Sequence, residues 1–180
     1  DFVENEDQPP YRRSQQEEKD ESEQVWHSIR LTNSTKVPWT TAPGETVKDG
    51  VILGQDTLGY TPAGAEATLR ITQAVGVKAE QREYETDRRR EAALLYGYHY
   101  DLVTVKGELS VVNFQDKAIH LEITKTLSGE YKDGDPQPEV EKLATGLRRM
   151  NGLLKLTWTL DLEPGERRDM SYTYDVYARR

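Results

Sequence analysis

The sequence predicts an all-β chain, an antiparallel β-sandwich with a polar N-terminal tail. Three observations predict it. Apolar residues recur at every second position in Asp101–Leu127, Leu153–Leu162 and Arg168–Ala178, the spacing of half-buried strands. No period near 3.6 is sustained across the core region. Pro, Gly, Asn and Asp punctuate the chain at short intervals, with no alternation of strand and helix.

The 180 residues begin with an acidic segment, Asp1–Glu23, holding nine acids and three bases. That is −6 of a total charge of −8, and the other 157 residues, with 23 acids and 21 bases, carry −2. The segment has few apolar side chains and a Pro-Pro pair, and cannot bury enough area to offset its ordering entropy. We read residues 1–23 as a tail or linker and residues 24–180 as the β domain, with a small extra β subregion within residues 33–97.

In that domain Gln24–Leu31 is the first strand. Val25, His27, Ile29 and Leu31 lie inward, Trp26, Ser28 and Arg30 outward. Asn33-Ser34-Thr35 is turn chemistry. Glu45–Lys48 and Val51–Leu53 are short strands around an Asp49-Gly50 turn, and Ala67–Thr72 is a third. Val77–Arg90, VKAEQREYETDRRR, suits an exposed helix or an exposed strand, and the flanking strand patterns favour the strand. Arg88-Arg89-Arg90 then reads as a solvated strand end. Leu94–Tyr100, with alternating aromatics, leads into the next strand.

Asp101–Leu127 is the stretch around which the chain is organised. Val103, Val105, Leu109 and Val111 form one inward row, interrupted by Gly107. Ile119, Leu121 and Ile123 form another. The link Asn113–Asp116 fits a hairpin turn. Gly129–Arg149 is a long polar connection in which one or two strands could hide. Leu154, Leu156, Trp158, Leu160 and Leu162 give the clearest inward row. A type II turn at Glu163-Pro164-Gly165-Glu166 leads to the closing row Met170, Tyr172, Tyr174 and Val176. The whole suits an immunoglobulin- or fibronectin-like arrangement.

Composition narrows function. The negative charge disfavours nucleic acid and anionic membranes as partners of the surface as a whole, and no apolar run reaches the length of a membrane-spanning helix. With no cysteine, disulfides and thiol chemistry are excluded. His99 with Asp101, and His120 with Glu122, place a His and a carboxylate on one strand face, and such pairs on neighbouring strands could bind zinc. Exposed polar positions are the expectation instead. Lys132-Asp133-Gly134-Asp135 has some look of a calcium loop but lacks the spacing and closing Glu of an EF-hand, so a turn is expected. His27, on the inward row, reads as a neutral, hydrogen-bonded core histidine. No phosphate loop, nucleophile elbow or metalloprotease motif occurs. We expect no catalytic, cofactor-binding or metal-binding residues. Trp26 and Trp39 lie off the inward rows and could stack on a sugar or a protein.

The stretches VTVKGELSVVNFQDKAIHLEITKTLSGE (Val103–Glu130), LRRMNGLLKLTWTLDLEPGE (Leu147–Glu166) and MSYTYDVYARR (Met170–Arg180) carry a resemblance. So do PWTTAP (Pro38–Pro43) and GQDTLGYTP (Gly54–Pro62). Together they resemble the C-terminal β domain of bacterial mucoidy-inhibitor-like proteins, a domain of unknown function. Trp158, Pro164, Gly165, Tyr172 and Tyr174 fit the family's Trp-bearing strand, Pro-Gly-Glu turn and Tyr-rich closing strand. The resemblance spans Val25–Arg180. It implies an extracytoplasmic or cell-envelope setting and the end of a longer chain, and no known catalytic residues. The expected role is a non-catalytic structural or protein-interaction module. A carbohydrate-binding module using exposed aromatics is the alternative, and a hydrolase without a visible site the second alternative.

Overall fold

The computed structural model describes residues 24–144 and 150–179, so the acidic segment 1–23 lies outside the described residues. The chain divides into two compact units, Asp1–Val75 and Gly76–Arg180. Eleven strands and no helix occur among the described residues. All strand pairings are antiparallel, and the sheets do not close into a barrel.

The first unit holds β1 (Trp26–Thr32), β2 (Ala42–Lys48), β3 (Val51–Leu58) and β4 (Glu66–Gln73). β1 pairs with β4 and β2 with β3. The β2–β3 hairpin closes on Asp49 and Gly50, both left-handed with φ of 53° and 79°. Two such residues define the tight hairpin turn that Asp-Gly favours. Ile29 and Leu31 face inward as expected, but His27 is exposed. A bulge between His27 and Ser28 leaves Ile71 of β4 without a partner and sets His27 opposite Thr72. Both lie on the solvent side, so the expected core histidine is corrected. Gly54 is fixed by contact, because a Cβ there would meet the Ile71 carbonyl oxygen at 2.0 Å.

The second unit holds β5 (Val77–Leu95), β6 (Tyr98–Asn113), β7 (Ile119–Ser128), β8 (Glu130–Asp135), β9 (Glu139–Ala144), β10 (Leu153–Leu162) and β11 (Arg167–Arg179). One sheet runs β5-β6-β11-β8 and the other β7-β10-β9. Of the inward rows, Val103, Leu109, Val111, Leu121, Leu154, Leu156, Trp158, Leu162, Met170 and Tyr172 are buried, while Val105, Ile119, Ile123, Leu160, Tyr174 and Val176 are half-buried. The rows of the two sheets meet where the Trp158 ring lies 5.8 Å from that of Tyr172.

Gly107 interrupts its row because Tyr172 needs the space. Glu83, Gly107, Tyr172 and Gly134 lie in one line across the first sheet. The Tyr172 ring lies over Gly107, where a Cβ would come within 2.1 Å of it. Its hydroxyl then donates to Glu83 Oε1 at 2.6 Å, and Lys125 of the second sheet sits 3.3 Å from the same oxygen.

The expected hairpin at Asn113–Asp116 is absent. β6 and β7 lie in different sheets, and so do β10 and β11. The cause is Asn113, which is fully buried. Its side-chain amide donates to the carbonyls of Lys117 at 2.9 Å and Leu162 at 3.2 Å, and Oδ1 accepts from Gln115 N at 3.0 Å. Its backbone N–H donates to Glu166 O at 2.9 Å, and its carbonyl accepts from Gly165 N at 2.8 Å. One side chain thus ties two crossings between sheets together. Asn33 does the same in the first unit. It donates to Val37 O and Thr61 O at 3.0 Å and accepts from Thr35 N at 3.1 Å. Its backbone pairs with Ala65 O and Gly64 N, each at 2.8 Å. The offsets match position for position, so the two units share one Asn-anchored corner.

Candidate interaction site

β5 is the edge of its sheet, pairing only with β6. An open edge nineteen residues long invites association, and charged side chains are the usual guard. Lys78, Glu80, Arg82, Glu83, Glu85, Asp87 and Arg88 supply it. This explains why the stretch looks helical by composition yet is a strand. Lys78 and Arg82 pair with Glu80 and Glu108 at 2.7 and 3.0 Å. Tyr84 donates to Glu108 at 2.8 Å. That hydrogen bond, then Arg82 and Lys106, hold the Glu108 carboxyl below its usual range against the effect of desolvation.

The β5–β6 ladder is broken once near its far end, where the register skips from Arg89 to Ala93. Three residues, Arg90, Glu91 and Ala92, stand opposite Asp101 alone. Glu91 takes a left-handed φ of 50°. Asp101 holds this bulge. Its carboxylate is buried, accepts the Glu91 N–H at 3.0 Å and accepts Arg88 Nη1 at 3.0 Å. Arg88 also donates to both oxygens of Glu85, at 2.8 and 2.6 Å. The hydrogen bonds to Glu85 and then Asp101 push the Arg88 guanidinium up, so it is charged throughout.

Beyond the bulge the hairpin continues through Ala93–Tyr100 and turns at Tyr96-Gly97, with φ of 51° and 81°. This end is apolar and exposed: Leu94 is 65%, Tyr96 79% and Tyr98 46% accessible. The Arg179 guanidinium lies 3.5 Å over the Tyr98 ring, a cation–π contact. The site is thus an apolar tip on an arm whose base is fixed by a charge-assisted cluster around the buried Asp101 carboxylate.

The alternating aromatics of Leu94–Tyr100, expected only to lead into the next strand, instead form the turn at the tip. Gly97, in an otherwise continuous pattern, was the available signal. Arg88–Arg90 is not a strand end; it lies within β5 beside the bulge. His99 and His120 lie in different sheets. Asp101 is committed to Arg88, and His120 Nδ1 sits 2.7 Å from Asp161 on an exposed face. Lys132–Asp135 is not a turn but part of β8, where Lys132 contacts Asp175 at 3.2 Å. Among the described residues no three His, Asp or Glu side chains converge as a metal site would require. Trp26 is exposed with Arg70 5.2 Å above its ring, and Trp39 is half-buried and bridges to Thr61.

No family model, curated protein or solved structure matches the chain. No helix among the described residues is long and apolar enough to cross a membrane.

Proposed function

We propose that the chain is a non-catalytic interaction module whose contact element is the β5–β6 arm. The observation that carries this is the tip itself, where Leu94, Leu95, Tyr96 and Tyr98 are all exposed on a ladder held by Asp101 and Arg88. Large apolar side chains gathered at an exposed end mark a contact surface. A rigid base lowers the entropy lost on binding. The meeting of two sheets through Trp158 and Tyr172 supports an immunoglobulin-like sandwich for Gly76–Arg180. The resemblance to mucoidy-inhibitor-like proteins supports a place at the C-terminal end of a larger bacterial cell-envelope protein.

A photo-crosslinking residue at position 96 tests this reading in the source organism. Discrete protein adducts are expected there, and none from the same residue at Thr159 on the outer face of β10. A second reading, carbohydrate binding, is favoured by exposed Trp26 under Arg70. Retention on a polysaccharide panel that Trp26→Ala abolishes, with no adducts at 96, would replace the first reading with the second.

A further inference from the structure

Alternation along β6 places Tyr98, Tyr100 and Leu102 on the face opposite buried Asp101 and Val103. The pairings add Leu95 beside Tyr98 and Tyr177 beside Leu102. The same outer face carries Arg89, paired with Leu102, on one side of this strip, and Arg179, paired with Tyr100, on the other. Arg88, one residue before Arg89, takes the Asp101 contact. Among the described residues no acid pairs with Arg89 or Arg179.

The spacing of the two arginine backbones follows from sheet geometry. They sit on strands either side of β6 and two residues apart along it. With strands about 4.8 Å apart and about 3.4 Å per residue, their Cα atoms are roughly 12 Å apart. Four residues of an extended chain span about 13 Å. Residues at i, i+2 and i+4 of such a chain point the same way.

We propose that this strip binds an extended acidic peptide segment of a partner protein, in the pattern Glu-x-apolar-x-Glu. The two carboxylates pair with Arg89 and Arg179, and the central apolar side chain lies on Tyr100 and Leu102. The proposal rests on the interaction-module reading and names the partner's chemistry. Charge complementarity selects the occupant: two guanidiniums with no acidic partner among the described residues, one of them stacked on Tyr98, flank an aromatic floor on a protein that is otherwise net acidic. Arginine is suited to this because its planar fork matches a carboxylate while its face stacks on tyrosine.

The test uses fluorescein-labelled Thr-Glu-Thr-Leu-Thr-Glu-Thr and its Gln-for-Glu isostere, titrated with the full chain in anisotropy measurements. The Glu peptide should bind about ten-fold tighter than the isostere, as two charge-assisted contacts would require, and lose that margin at high salt. The double variant Arg89→Gln, Arg179→Gln should abolish the margin without lowering Tm. The double Lys variant should keep part of it. Tyr100→Ala should weaken both peptides alike. Equal binding of the two peptides, or a Glu preference that survives the double Gln variant, overturns the proposal. Binding to anionic vesicles or to a polysaccharide through the same arginines, without the Glu peptide, also overturns it. Protein adducts at position 96 together with no binding of either peptide would overturn this assignment alone and leave the module reading standing.

Discussion

Tyr172 is the residue through which both sheets of the second unit are adjusted to one another. Its ring fills the space left by Gly107, its hydroxyl reaches Glu83, and Gln81 donates to that hydroxyl at 3.3 Å. Gly107→Ala should therefore cost roughly 3 kcal/mol, the upper range for forcing an extra carbon into a packed site, read by urea denaturation. Burial first, then the hydrogen bond to Glu83, pushes the Tyr172 phenol well above its ordinary 10. The folded state thus holds this proton more tightly than the unfolded one. Stability from it is fully present below pH 10 and declines as pH rises beyond. Tm should fall as pH rises above about 10, and Tyr172→Phe should flatten part of that fall. An unchanged slope in the Phe variant would remove Tyr172 as the cause. Asn113 makes a parallel case. Asn113→Ala leaves several buried carbonyls and an N–H unpartnered. At about 1–3 kcal/mol for each such group it should cost roughly 3 kcal/mol or more.

Among elements, β5 differs most from its neighbours because little of it is buried. Its carboxylates Glu80 and Glu85 are held below their usual range, chiefly by hydrogen bonds from Lys78 and Arg88. Groups with a lowered pKa stabilise above the unfolded value and lose that contribution as pH falls through the folded one. Melting curves should therefore shift down as pH drops below about 4.5, and high salt at neutral pH should reduce the difference. β10 is the opposite kind of strand. Trp158 is buried and donates from its indole to Pro136 O at 2.9 Å. Trp158→Ala should cost roughly 3–5 kcal/mol and Thr157→Ala well under 1 kcal/mol. Similar losses at both positions would mean the faces are swapped. These inward rows were legible because alternation records burial directly. The connections were not. Asn113 and Glu163–Glu166 carry good turn residues, and turn residues do not reveal whether a chain folds back beside itself or crosses to another sheet. That choice is made by backbone partners 49 to 53 positions away, which no local pattern encodes. The arm tip was obscured for a related reason. Tyr96 supplies the left-handed turn residue, a role that Asn or Asp usually signals.

For the whole molecule, the shared corner means that each unit carries its own crossing device. The equivalence of Asn33 and Asn113 is invisible by eye, since the flanking side chains differ and the match lies in backbone contacts. All polar partners of Asn113 fall within Gly76–Arg180. That segment expressed alone should fold cooperatively, with the blue-shifted emission of a buried Trp158, its single tryptophan. Red-shifted emission from the isolated segment would show that it depends on the first unit.

The register of the four-stranded sheet has a mechanical consequence. Val77 enters beside Asn113 at one end of the β5-β6-β11 ladder, and Arg179 leaves beside Tyr100 at the other. β5 and β11 both run opposite to β6 and so point the same way. Tension applied between the ends of this unit acts along the strands, loading their rungs together in shear instead of peeling them one at a time. Rupture under load is governed by the unfolding rate, so pulling between positions 76 and 179 should meet higher forces than pulling the same unit apart at the Tyr96 tip, where the hairpin opens like a zip.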